Sequence, residues 1–180
     1  MALKATVYKA DLQISDMNRN HYQEYPLTLA KHPSETEERL MARLVAFALH
    51  ADESLNFTKG ICRDDEPELW QKSLSGEIEL WIELGQIEER RIQKACGKAK
   101  QVVVYTYQPR QADVWWQQNK EKWKRYSNLT FYRLDAESGE GDALSKLADR
   151  NMQLQCTIQD EDIWLTDDHS TNLHIRVSPW

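Results

Sequence analysis

The chain opens on alternation. Val7, Leu12 and Ile14 mark one strand and Tyr25, Leu27 and Leu29 a second, with the polar run "SDMNRN" between them as turn. From Pro33 the period changes. Leu40, Met41, Leu44, Val45, Phe47, Ala48 and Leu49 recur at helical spacing through His50. Ser34 stands at the N-cap position of this predicted helix and Glu37 at the capping-box position; Glu35, Glu37 and Glu38 suit its positive end.

Short strands follow in "LNFTKGI", "LWQKSL" and "EIELWIEL", the last two joined around Ser75-Gly76. Period two puts Ile78, Leu80, Ile82 and Leu84 on one face of "EIELWIEL", predicted as core. Glu77, Glu79, Trp81 and Glu83 fall on the other. Glu is a poor strand residue, so that second face is either a wet sheet surface or a carboxylate array.

"EERRIQKACGKA" predicts a helix with Ile92, Ala95 and Ala99 on its buried stripe, and "QVVVYTY" a central strand. "ADVWWQQNKEKWKRY" predicts a second long helix with Trp116 and Trp123 seven apart on one face. "NLTFYRL" is a strand and "GDALSKLADR" a short helix. "MQLQCTIQDEDIWLTDD" turns back at Asp160-Glu161-Asp162, and "LHIRV" adds a last strand. Helices interleaved with hairpins and a crossover strand predict a mixed α/β fold. There is no repeat, low-complexity tract or linker, so residues 1–180 read as a single domain.

Composition narrows the chemistry. With 41% hydrophobic and 29% charged residues the 180-residue chain can bury a proper core. A net charge of −6 argues against a general nucleic-acid coat, though not against a local basic groove. Neither a signal-peptide run nor roughly 18 consecutive apolar residues occurs, which predicts no membrane association. Cys62, Cys96 and Cys156, odd in number and widely spaced, fit reduced thiols in a cytoplasm. A monomer is the default at this size.

Several machines are excluded by motif. Six glycines include no GxGxxG or GxxxxGK[ST], no GxSxG elbow is present, and the five histidines lack metal-ligand spacing. Cys62 has no local partner that favours a nucleophile over a buried thiol. Carboxylates and cations remain. Arg91, Lys94 and Lys98 share one helix face, as do Arg90 and Lys94. That face is either solvated and answered by Glu88 and Glu89, or an anion-binding wall. In "NKEKWKRY", Lys120, Lys122, Lys124 and Arg125 could track a nucleic-acid backbone, against Trp116 and Trp123 as plain core anchors.

From Glu37 onward the succession of an acidic helix start, short strands, Pro67-Glu68, "Glu83-Leu84-Gly85-Gln86", a basic helix and "VVVYTY" resembles the αβββαβ core of the PD-(D/E)xK nuclease superfamily. A closer resemblance covers nearly the whole chain. "MALKATVYKADLQISDMNRNHY", "YPLTLAKHPSETEERLMARLVAFALHA", "DDEPELWQKSLSGEIELWIELGQ" and "RRIQKACGKA" are similar to the YaeQ family of small bacterial proteins. This resemblance implies a mixed sheet flanked by helices, with a PD-(D/E)xK restriction-endonuclease-like core and added N-terminal and C-terminal strands.

It further implies an acidic magnesium site, with Glu68 as the first acid and Glu83 at the (D/E) position. Gly85 stands where the motif places Lys, so Gln86 or Lys94 is the candidate to take over that role beside Glu83. Glu38 is a candidate third acid and Glu79 a same-face neighbour of Glu83. Arg90, Arg91 and Lys98 are candidate anion contacts. Mg²⁺ suits such a place because it takes oxygen ligands, typically one or two carboxylates plus water. Two readings stand: metal-dependent phosphodiester hydrolysis of nucleic acid, and a binding or regulatory protein that keeps the nuclease scaffold and grips a nucleic acid or a protein partner without turnover.

Overall fold

A computed structural model describes residues 4–59, 61, 63–137 and 143–180, and divides into two compact units. Among the described residues there are ten strands and three α-helices.

The first unit comprises residues 1–49 and 136–177. Strands β1 (Thr6–Asp16) and β2 (His21–Lys31) pair antiparallel along their full length, joined by the predicted polar turn with Asn20 at φ 51°. Asp16 holds that turn. It is 2% exposed, accepts the backbone N–H groups of Asn18 and Arg19, and pairs with the Arg19 side chain at 2.7 Å. β8 (Asn151–Gln159) lies parallel to β1, β9 (Asp162–Asp167) turns back on β8, and β10 (Asn172–Pro179) pairs antiparallel with β9. The order is β2-β1-β8-β9-β10.

Helix α1 (Glu37–His50) is buried continuously from Leu40 to Ala48. It starts later than its sequence suggests. Thr36, not Ser34, caps it, accepting the Arg39 N–H at 3.1 Å. The cause is Glu35, 5% exposed, which is drawn into a 2.8 Å ion pair with Arg43, itself 2% exposed and also donating to Ala30 O. The predicted helix at "GDALSKLADR" shortens to a 3₁₀ turn at Leu144–Leu147; Gly141 and Asp142, with which it was to begin, lie outside the described residues.

The second unit comprises residues 50–135 and 178–180. Strands β3 (Leu55–Phe57), β4 (Leu69–Lys72) and β5 (Ile78–Leu84) run antiparallel in turn. Helix α2 (Glu89–Lys98) then carries the chain to β6 (Ala99–Thr106), parallel to β5. Helix α3 (Pro109–Trp123) carries it to β7 (Leu129–Ala136), parallel to β6. The order is β7-β6-β5-β4-β3.

Ile92 and Ala95 of α2 and Trp123 of α3 pack with Trp81, Val102, Val104 and Phe131 into one apolar cluster. Trp116 joins it at its edge, stacked on Trp180 at 4.9 Å, so the tryptophans of α3 are anchors. The basic run that follows Trp116 is answered by acids: Lys122 and Arg125 pair with Glu89, and Lys124 with Glu121.

The expected mixed α/β composition is observed, but a sheet flanked by helices is not. Three helices cannot cover ten strands. The added N-terminal and C-terminal strands make up the run β2-β1-β8-β9-β10 of the first unit, whose one α-helix among the described residues is α1.

Candidate functional site

Strand β5 settles whether "EIELWIEL" has a wet face. Leu80, Ile82 and Leu84 are buried as predicted, but Trp81 and Glu83 on the other face are 0% and 1% exposed. Helix α2 supplies the cover, because in returning the chain from β5 to the parallel β6 it lays Ile92 and Ala95 against Trp81. The strand is wet only at its start. There Glu77 and Glu79 both pair with Lys100, Glu79 at 2.7 Å. Glu79 is therefore engaged at the opposite end of the strand from Glu83 and is no part of its site.

Glu68 is the second buried acid of this unit, 1% exposed. Leu69 pairs with Ile82, and the Glu68 N–H donates to Ile82 O at 3.0 Å. Glu68 and Glu83 are the residues next to this pair on their two chain segments, and the charge of Glu68 is felt at the Glu83 carboxyl. The two acids proposed from sequence are thus brought together.

Two charged or polar donors converge on Glu83. Trp81 Nε1 and Arg91 Nε each lie 2.8 Å from Oε1. Burial pushes the Glu83 carboxyl above the ordinary Glu range; Arg91 and Trp81 pull it back, and the charge of Glu68 adds to the rise. The Arg91 guanidinium spans further, donating to Glu66 O at 2.7 Å and Arg63 O at 3.2 Å. Lys94, one turn along α2, reaches the same loop at Asp64 O, 3.2 Å away. Arg91 is the contact that the sequence understates: as one of three cations on a helix face it reads as a wall residue, not as the partner of Glu83.

A cleft of about 690 Å³ opens beside this group, lined by Asp64, Glu88, Arg90, Arg91, Gln93 and Lys94. Arg90, Arg91 and Lys94 therefore do form one wall. Lys98 does not; it lies at the end of α2 beside Gly76, Ala99 and Lys100, in a separate depression. Glu38 belongs to the first turn of α1 in the other unit. Gly85, at φ +87°, ends β5 by donating its N–H to Tyr105 O at 2.8 Å. After it, Gln86 carries a buried Nε2 that has no hydrogen-bond partner among the described residues. Cys62 lies outside the described residues.

Among the described residues no group of three or more His, Cys, Asp or Glu side chains is placed to hold a metal. Two neighbouring carboxylates are nevertheless the donor set that Mg²⁺ accepts, because it keeps most of its own waters. The orphaned Gln86 amide suits that chemistry too, since a buried N–H calls for an acceptor such as a phosphate oxygen or a coordinated water. The pair fits magnesium, with Arg91 as the cation now on Glu83. No helix among the described residues is long and apolar enough to cross a membrane.

Comparison with known proteins covers the whole arrangement. The sequence profile described as "YaeQ protein" matches residues 1–176. The uncharacterized protein YaeQ of Escherichia coli (strain K12) is 51% identical over 180 residues, covering 100% of this chain and 98% of that protein. The counterpart of Salmonella typhi is 49% identical over the same span. The crystal structure of a YaeQ protein from Xanthomonas axonopodis pv. citri superposes with a TM-score of 0.89 at 42% identity, covering 97% of each chain. That from Pseudomonas syringae gives 0.88 at 29% identity, covering 97% of this chain and 95% of the other.

Proposed function

The chain belongs to the YaeQ family, and on that premise we propose that it is a nuclease-like protein that binds Mg²⁺ at Glu68 and Glu83 and hydrolyses phosphodiester bonds of nucleic acid. The observation that carries this reading is the two buried acids Glu68 and Glu83, close enough that the charge of one is felt at the other, beside a cleft walled by Arg90, Arg91 and Lys94. The succession α1-β3-β4-β5-α2-β6 supports it as well, since it follows the αβββαβ order of the PD-(D/E)xK core. Free Cys96 and Cys156 suit action in a reducing cytoplasm.

The parts divide the work by chemistry. Glu68 and Glu83 would hold the ion, which when bound lowers the pKa of a water and neutralises phosphoryl charge. Arg90 and Lys94 meet the anionic backbone in the cleft and orient it. Gln86, with its unpartnered N–H, donates to a phosphate oxygen, standing in for the lysine that Gly85 replaces.

A second reading has its own observation. A neutral Gln in place of Lys, together with Arg91 already seated on Glu83, also suits a protein that grips nucleic acid or a protein partner without cutting.

Cleavage of mixed single- and double-stranded DNA and RNA with Mg²⁺ or Mn²⁺ separates the two, comparing wild type with Glu83→Ala and Glu68→Gln. Metal-dependent cleavage that both substitutions abolish supports hydrolysis. Retained nucleic-acid binding with no cleavage above the variants' background moves the assignment to the second reading.

A further inference from the structure

We propose that Arg91 is a built-in cation that closes the acidic pair and competes with a divalent ion for Glu83, so that the site accepts metal only when Arg91 is drawn off into the cleft. This rests on the metal reading above and deepens it.

The geometry makes the case. Three oxygens hold the guanidinium: Glu83 Oε1 at 2.8 Å, Glu66 O at 2.7 Å and Arg63 O at 3.2 Å. Carboxylate and backbone carbonyl oxygens are also what a hard divalent cation takes. Arg91 therefore sits in an oxygen cradle of the kind that would otherwise attract an ion. Glu83, 1% exposed, needs positive charge nearby, and Arg91 supplies it without any ion from solution.

A purely structural arginine has no reason to keep a way out. Arg91 has one. Its side chain is 22% exposed and lines the cleft with Arg90 and Lys94. A phosphate entering the cleft offers the guanidinium two oxygens in place of one carboxylate oxygen and two carbonyls. Drawing Arg91 outward uncovers Glu83 beside Glu68, and the deficit of positive charge that results favours a divalent ion. Anion and metal are then coupled, each raising affinity for the other, as linkage requires. The device keeps the acidic pair metal-poor until substrate arrives.

The test is Mn²⁺ binding, followed by loss of the free-ion paramagnetic resonance signal, on wild type, Arg91→Ala, Arg91→Gln, Arg91→Lys and Glu83→Gln, each first checked for folding by circular dichroism. Arg91→Gln keeps an amide that can still bond a loop carbonyl and serves if the Ala variant fails to fold. The expected result is at least tenfold tighter Mn²⁺ binding in Arg91→Ala or Arg91→Gln than in wild type. Arg91→Lys stays near wild type because it keeps the charge, and combining Glu83→Gln with Arg91→Gln abolishes the gain. A short single-stranded oligonucleotide tightens Mn²⁺ binding in wild type more than in Arg91→Gln.

Equal Mn²⁺ affinity in wild type and both neutral variants, still lost in Glu83→Gln, overturns the role of Arg91 and leaves the metal site standing. No Mn²⁺ binding in any variant overturns both together.

Discussion

Arg91 Nε donates to Glu83 Oε1 at 2.8 Å, tying the first turn of α2 to the buried end of β5. Because Trp81 Nε1 meets the same oxygen and the guanidinium continues to the carbonyls of Arg63 and Glu66, one side chain links a strand, a helix and a loop. Its loss has consequences for stability as well as chemistry.

Arg91→Ala leaves Glu83 buried without its counter-ion. Breaking a fully buried pair costs about 3–5 kcal/mol; with Arg91 22% exposed, a loss of about 2–3 kcal/mol is expected. The folded-state pKa of Glu83 is already raised by burial, so its protonated form favours folding below the unfolded value and that contribution fades as pH rises through the folded one. Removing Arg91 raises the folded value further. Urea denaturation should accordingly show the deficit of Arg91→Ala greatest near pH 7.5 and shrinking as the pH falls towards 5. A deficit independent of pH would mean that Glu83 is not the group left unpaired.

His174 of β10 lies between two carboxylates, 2.8 Å from Glu137 and 2.7 Å from Asp162, with Trp164 stacked on its ring. The bonds to Glu137 and then Asp162 raise its pKa above 6.5. A raised His stabilises the fold below its unfolded pKa, and that stability is lost as pH rises through the folded value. Proton NMR of the ring should therefore titrate above 6.5, and Asp162→Asn should move the midpoint down. A midpoint at or below 6.5 in wild type would show that the ring is not held as a cation.

The Glu35–Arg43 pair is the most deeply buried ion pair described, with side chains 2% and 3% exposed. Arg43→Ala is expected to cost about 2–4 kcal/mol, since it leaves buried Glu35 to the looser pair with Arg39 at 3.6 Å. Replacing both at once, Glu35→Leu with Arg43→Met, should recover most of that loss, because paired desolvation is removed along with attraction. Chemical denaturation of the three proteins measures this; a double variant no better than Arg43→Ala would place the cost in packing.

At Gly85 a Cβ would make an ordinary van der Waals contact, with Tyr107 Cε1 at 3.8 Å, yet φ is +87°. Gly85→Ala should cost about 1–2 kcal/mol through the backbone alone, visible as a lower melting temperature with the Glu83–Arg91 site unchanged. The same strain opposes a lysine at this position.

Element existence was legible wherever one period dominated over a long run, as in α1, α3, the β1–β2 hairpin and the β8–β9 return. Boundaries were less so. Ser34 and Thr36 are equally good caps locally, and the choice fell to Thr36 because a buried arginine eight residues on captures Glu35. At the candidate site, Glu68 and Glu83 were singled out through family resemblance. The pattern alone left Glu83 on a wet face, since alternation cannot say whether a helix will cover the second side of a strand.

What the sequence by itself determined was local: which segments alternate, which turn at 3.6 residues, and which side chains could bear charge. These follow from interactions between residues a few positions apart. The tertiary structure decided the state of each charge. Glu77 and Glu79 lie at the wet start of β5 with Lys100, while Glu83, four residues beyond Glu79, is sealed beneath α2 with Arg91 as its counter-ion. Burial and ion pairing depend on what arrives from elsewhere in the chain. No periodicity within β5 encodes the helix that folds over it.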